Sequence, residues 1–268
     1  MPTPTDIELK DVRIAFPTAS GTELVAVDGV HQHIPERTFV SIVGPSGCGK
    51  STLLAAVAGL QKVTSGSVRI GDRPVNGPDR AVGLVFQEDS TLPWRTVVDN
   101  VRFAMQVAGV SKAEQLERAA AAIELVGLKG FEKSRPTELS GGMRQRVALA
   151  RTLALRPSVV LMDEPFAALD QQTRILLGAE VLRIWRQTHQ TVLFVTHDIA
   201  EAILLSQQVW VMSYRPGRII DVVDVDLPEE RSPDIVSTPD FNRLQNRIWS
   251  SLQAESMRGF ASESRAAS

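Results

Sequence analysis

A single cysteine, Cys48, excludes any disulfide within the chain and fits a reducing compartment. A bias of charge is missing too. The 29 Lys and Arg nearly balance the 31 Asp and Glu, leaving a formal net charge of −2, so no broad nucleic-acid surface is expected. No uncharged apolar run approaches the roughly 20 residues that span a bilayer. If the chain works at a membrane, other chains must hold it there. The first six residues show no basic stretch followed by an apolar one, so no export signal is expected. No internal repeat is visible. What is present is 43% apolar residues in a length of 268, enough for a sizeable core in one or two domains.

Residues 7–16 alternate apolar and polar (Ile7, Leu9, Val12, Ile14, Phe16) and read as an edge-type pair of strands with a turn; residues 23–34 look similar. The run Phe39-Val40-Ser41-Ile42-Val43 is short and apolar, consistent with a buried strand. It stops at Gly44, and 51–60 has helical spacing. Residues 67–70 and 81–86 are further strands, joined by a polar turn over 71–78. From 96 to 155 the pattern is helical, with Gly127 stopping one helix and Arg156-Pro157 another. Strand character returns at 159–162 and 192–195, with a helix over about 173–188 between them. Strands alternating with helices indicate a mostly parallel sheet covered on both faces, with residues of about 93–156 as a helical insertion. Short strand-like pieces follow residue 211 up to Leu227. Thr238-Pro239 then opens a last helix, whose apolar face would carry Phe241, Leu244, Ile248 and Leu252. Residues 258–268 are small and polar, and are expected to fray.

Three segments carry chemistry. Gly44-Pro45-Ser46-Gly47-Cys48-Gly49-Lys50-Ser51, followed by Thr52, completes the phosphate-loop pattern between an apolar strand and a helix. The glycines let successive N–H groups converge on a phosphate, and the helix N-terminus adds its positive end. Lys50 brings a charge to the β- and γ-phosphates, and the Ser51 hydroxyl suits Mg²⁺. A thiol reagent at Cys48 is expected to inactivate the protein, with ATP protecting it. The acidic strand end Asp163-Glu164 would bring Asp163 close to the metal, with Glu164 reaching an attacking water. Leu139-Ser140-Gly141-Gly142-Met143 opens a further helix. Ser140 fits an N-cap and the glycines expose N–H groups to an anion. A chain with one phosphate loop has no nucleotide of its own for this second site, which points to a nucleotide shared between two copies.

Taken together and in this order, these motifs resemble those of the ATP-binding subunit of an ABC transporter, over residues of about 7–226. The resemblance implies a P-loop NTPase fold: a mostly parallel α/β sheet core, an N-terminal antiparallel β subdomain and the inserted helical subdomain. The cassette would occupy residues 1–228, with 229–268 a C-terminal extension. It implies that Ser140, Gly141 and Gly142 complete the ATP site of a partner copy. Gln87 matches the glutamine that senses Mg²⁺ and faces the membrane partner. Ala168-Leu169-Asp170 matches the loop that crosses the dimer, and His197 the switch histidine. Phe16 sits where an aromatic stacks on adenine. Each also has a plainer reading: Gln87 as an ordinary polar residue, Asp170 as a helix N-cap, His197 as a histidine satisfied at a strand end, and Phe16 as packing.

Met143 stands where many such subunits have Gln, Arg37-Thr38 replaces a frequent Gly-Glu turn, and Phe16 replaces a more usual Tyr. The run Phe86-Gln87-Glu88-Asp89 through Leu92-Pro93-Trp94, with Met143 and the turn Arg215-Pro216-Gly217-Arg218, is similar to subunits of nitrate/sulfonate/taurine importers. That similarity implies ATP and Mg²⁺ as cofactors, a homodimer of ATPase subunits, and two transmembrane permeases docking near Gln87 and Trp94. It also implies an extracytoplasmic solute-binding protein, a peripheral place on the cytoplasmic face of the inner membrane, and no nucleic acid. A soluble ABC-type ATPase without a membrane partner is the alternative.

Overall fold

The computed structural model describes residues 5–18, 21–88, 90–167, 169–231 and 233–266. In chain order the elements are β1 (Ile7–Pro17), β2 (Glu23–Ile34), β3 (Phe39–Val43), α1 (Lys50–Val57), β4 (Ser65–Ile70), β5 (Arg73–Pro74) and β6 (Val82–Val85). Then come α2 (Val97–Val107), α3 (Lys112–Leu125), α4 (Gly141–Ala154), β7 (Val159–Asp163), α5 (Gln171–Thr188) and β8 (Thr191–Val195). The chain ends with α6 (Ile199–Leu205), β9 (Gln208–Met212), β10 (Ile219–Asp224) and α7 (Pro239–Ala266).

The six-stranded sheet has the order β10-β9-β3-β8-β7-β6, parallel throughout except for β10. Its central strands β3, β7 and β8 are mostly apolar and almost entirely buried, because both faces are covered. Alternate residues serve different cores: Phe39, Val160, Met162 and Phe194 pack with α2 to α5, and Val40, Ile42, Leu161 and Val195 pack with α1 and the second sheet. This sheet carries the ends of β3, β7 and β8 to one edge, and the site is built there.

The second sheet is antiparallel, in the order β2-β1-β4-β5. The sequence suggested two edge strands and a turn over 7–16. The structure instead has one strand, and it lies between β2 and β4. The spacing from Leu9 to Val12 is a β-bulge: the register shifts there on both sides, and Asp11 takes φ 47°. The bulge mimics a turn in the hydrophobic pattern. The polar turn over 71–78 also holds the short strand β5, which pairs with β4.

Two further elements differ from expectation. The seven-residue α6, capped by Asp198, was not legible, being too short to show a helical period. Strand β9 begins at Gln208, ahead of the expected strand region. The last helix starts where the Thr238-Pro239 signal puts it, with Thr238 Oγ1 accepting from Phe241 N at 3.4 Å. Phe241, Leu244, Ile248 and Leu252 are buried against α6, β9 and β10, and α7 runs on to Ala266, past the point where fraying was expected. Arg231 is also buried, and its Nη1 donates to the carbonyls of Ile203, Leu204 and Ser206 at 2.7, 3.0 and 2.8 Å. It thereby caps the C-terminal end of α6.

Candidate active site

The loop after β3 turns sharply into α1. Gly49, at the N-cap, has φ 109°, and a Cβ there would lie 2.7 Å from the Ala26 carbonyl oxygen. Both the conformation and the close approach require glycine. The Lys50 side chain, 5% exposed, folds back beneath the loop: its Nζ donates to the Gly44 and Pro45 carbonyls at 2.9 and 3.1 Å. A phosphate entering the loop meets this ammonium together with the first free N–H groups of α1.

Strand β7 places its acidic end beside α1. Ser51 Oγ donates to Asp163 Oδ1 at 2.8 Å. Burial pushes the Asp163 carboxyl above its ordinary range, the Ser51 hydrogen bond pulls it down, Glu164 pushes it up and Lys50 pulls it down. A hydroxyl and a partly buried carboxylate that close together form a hard oxygen donor pair of the kind Mg²⁺ takes. Glu164 is held at φ 43° by the start of the next turn, and its N–H donates to Val195 O at 2.9 Å. One carboxylate oxygen lies 2.8 Å from His197 Nδ1, at the end of β8, and the other 3.9 Å from Lys50 Nζ.

Lys50, Ser51, Asp163, Glu164 and His197 thus form one connected cluster at the ends of β3, β7 and β8. The remaining site residues stand outside it. Ser140 caps α4, accepting from Met143 N at 3.3 Å; a Cβ added at Gly141 would meet the side chains of Leu169 and Arg144, and one at Gly142 those of Thr173 and Leu177. Met143 is partly buried against the helical core. Asp170 caps α5, its carboxylate accepting from Thr173 N and Oγ1 at 3.0 and 2.7 Å, bonds that hold it below the usual carboxylate range. Gln87 is exposed after β6, and among the described residues no hydrogen bond ties it to the cluster. Ser46 and Gly47 are exposed at the loop tip, Pro45 and Thr52 half-buried, and Phe16 half-buried against the second core. Ala168 and Asp89 lie outside the described residues.

Cys48 corrects a sequence expectation. Its side chain is fully buried in the core under the loop, and burial pushes its thiol above the ordinary range, against the pull of Lys50. Only its backbone faces the loop, and a buried thiol reacts slowly because little thiolate forms. The departure at Arg37 also has a consequence: it adopts φ 61°, a left-handed turn geometry that glycine accepts more easily.

Two groups of residues escaped the sequence. Arg174 Nη1 donates to Asp198 Oδ2 at 3.1 Å and its Nη2 to Leu169 O at 3.1 Å, while its Nε lies 3.1 Å from Glu201 Oε1. Glu201 in turn accepts from Thr196 Oγ1 at 2.6 Å, so both neighbours of His197 are fixed. Arg215 reaches the phosphate loop, donating from Nε and Nη2 to Gly47 O at 3.2 and 2.8 Å. Its Pro-Gly turn marks it in the sequence, but nothing local connects it to a loop 168 residues away.

Comparisons with known proteins give the family and the fold. The family model described as "ABC transporter" matches residues 27–167. The chain is 43% identical over 247 residues to the taurine import ATP-binding protein TauB of Rhizobium johnstonii, covering 90% of this chain and 94% of that one. It is 41% identical over 253 residues to the nitrate import ATP-binding protein NrtD of Synechocystis, covering 92% and 95%. Among solved structures, it resembles an ATP-binding cassette captured as a dimer in a post-hydrolysis state with ADP and Pi. That likeness has a TM-score of 0.72 at 31% identity, covering 83% of this chain and all of that one.

Proposed function

This chain belongs to the ABC transporter family as an ATP-binding ATPase, and from that premise we propose that it powers import of a small anion or organic solute, of nitrate, sulfonate or taurine type, across a bacterial inner membrane. The observation that carries the proposal is the identity above 40% to two import ATP-binding proteins along nine-tenths of all three chains.

In this reading two copies close head to tail on two ATP molecules. The loop from Gly44 to Ser51 and the α1 N-terminus hold the phosphates of one ATP, and Ser140, Gly141 and Gly142 of the second copy meet its γ-phosphate. Ser51 and Asp163 would hold Mg²⁺, which would neutralise charge on the β- and γ-phosphates, with Gln87 as the residue expected to sense it. Glu164 takes a proton from water as the water oxygen attacks the γ-phosphorus. The bond to the β–γ bridging oxygen breaks, leaving ADP and phosphate. His197 orients Glu164 through their 2.8 Å contact and, with Lys50, stabilises the transferring group. Loss of the shared γ-phosphate then removes what held the two copies together.

Among the described residues no helix is long and apolar enough to cross a membrane. Membrane work therefore falls to partners, two permeases and a solute-binding protein, with this chain on the cytoplasmic face. Phe86 and Trp94 support a docking place. They flank Gln87 in one loop region and are 50% and 71% exposed, a large apolar surface for a segment next to a nucleotide site. Trp94→Glu should release the protein from permease-containing membranes while ATP binding stays within about twofold of the parent. Full retention on those membranes would refute the docking place, and loss of ATP binding would show that the change acts on the cassette itself.

A further inference from the structure

The turn between β9 and β10 lies on the phosphate loop. Gly217 packs so closely there that a Cβ would sit 2.2 Å from Cys48 O, and its N–H donates to Ala26 O at 2.9 Å. Ser213 ties the turn to itself, its hydroxyl 3.0 Å from Pro216 O and accepting from Arg218 N at 3.0 Å. Arg218 pairs with Asp28 of β2. From this braced turn Arg215 extends both Nε and Nη2 to one oxygen, that of Gly47.

That oxygen belongs to the peptide joining Gly47 to Cys48. In a planar trans peptide the C=O and the N–H point in opposite directions. Holding the carbonyl toward Arg215 therefore turns the Cys48 N–H into the loop, where it lies 3.4 Å from Pro45 O. A guanidinium chelating a single carbonyl is a charge-assisted contact that resists rotation of the peptide. The entry to the turn is fixed separately. Glu255, 7% exposed on α7, accepts the Tyr214 N–H at 2.9 Å. A buried carboxylate thus spends one oxygen on the backbone next to Arg215. The line Glu255–Tyr214–Arg215–Gly47 runs from the C-terminal helix to the phosphate loop.

We propose that Arg215 is a positioning residue for the phosphate loop, and that Glu255 of the C-terminal helix holds it there, so that α7 sets how tightly the loop grips nucleotide. The proposal rests on residues 44–51 being the phosphate loop of the ATPase. It gives the C-terminal extension a task beyond packing. Because Gly47 belongs to the part of the loop that surrounds the β-phosphate, ATP and ADP should respond alike.

Equilibrium titration of the full chain with ATP and with ADP, alongside thermal unfolding, tests it. Arg215→Ala should weaken both nucleotides by about three- to tenfold, and Arg215→Lys, which keeps one donor, should recover part of that. Glu255→Ala should weaken both by about twofold, and Glu255→Gln, which keeps an acceptor oxygen, should bind as the parent does. Arg247→Ala cuts a different tie of α7, to Asp221, and should lower the melting temperature without moving either affinity. Unchanged affinities in Arg215→Ala would overturn the proposal. So would an affinity loss in Arg247→Ala as large as that in Glu255→Ala, since the helix would then act by general loosening. Lys50→Ala separates the two levels: if it abolishes binding while Arg215→Ala does not, this proposal alone falls. If Lys50→Ala also binds normally, the loop assignment falls with it.

Discussion

Glu164 holds a backbone conformation, φ 43°, that side chains rarely adopt, and the residue after it is proline. Such a position costs about 1–3 kcal/mol and persists only when its surroundings over-determine it. Here the Val195 carbonyl takes its N–H, and His197 and Lys50 flank its carboxylate. The geometry serves to aim one oxygen at His197 while leaving the site edge accessible to water. Glu164→Gln keeps the shape and removes the proposed base. It should leave ATP affinity nearly unchanged and slow phosphate release by about 10²–10⁴-fold, read by a phosphate assay at saturating ATP. Normal turnover in that variant would move the base elsewhere. At this scale the sequence was informative where the signal is contiguous. The order of glycines, Lys50 and Ser51 specifies a phosphate loop without help from distant residues. It said nothing of which way Cys48 points, because that depends on the core beneath the loop.

Elements are tied to one another by contacts that no local pattern announces. Arg174, on α5, holds Asp198 and Glu201, the cap and first turn of α6, and also the Leu169 carbonyl just ahead of α5. Arg174 thus ties the start of α5 to the start of α6, and His197 directly precedes the cap of α6. The carboxyl of Glu201 is pushed up to about 7, chiefly by burial and then by Asp198, while Thr196, Arg174 and His197 pull against this. A carboxyl raised above its ordinary value near 4.5 gives its full contribution to stability below that value and loses it as the pH rises through about 7. Thermal unfolding of the parent should therefore drift downward relative to Glu201→Gln between about pH 5 and pH 8, by at most about 3 kcal/mol. Parallel curves for the two proteins would show that Glu201 titrates as it does when unfolded. Element type was legible wherever the hydrophobic period ran long enough, as in α3, α5 and the central strands. It failed at the β1 bulge, where one inserted residue imitates a turn, and at α6, which is too short to show a period.

At the scale of the whole molecule, one copy brings Lys50, Ser51, Asp163, Glu164 and His197 together and carries a separate helix N-terminus capped by Ser140. Ser140 bonds Met143 N, and the glycines beside it lie against Leu169 and Thr173. In a single chain this is the plain helix cap that the sequence also allowed. In the proposed pair it would be the missing wall of the partner's ATP site, a reading that the likeness to a cassette captured as a dimer with ADP and Pi supports. The sequence points to the proposed shared site only through the arithmetic of one phosphate loop and two helix N-termini that suit an anion. How the two copies meet depends on surfaces with no motif. The most direct measurement is the mass of the Glu164→Gln chain in solution at saturating ATP, by sedimentation, with and without Ser140→Arg. The account requires a doubling of mass with one ATP bound per chain, and a monomer that still binds ATP once Ser140→Arg is added. A Glu164→Gln chain that stays monomeric with ATP bound, or a Ser140→Arg chain that still pairs, would contradict it.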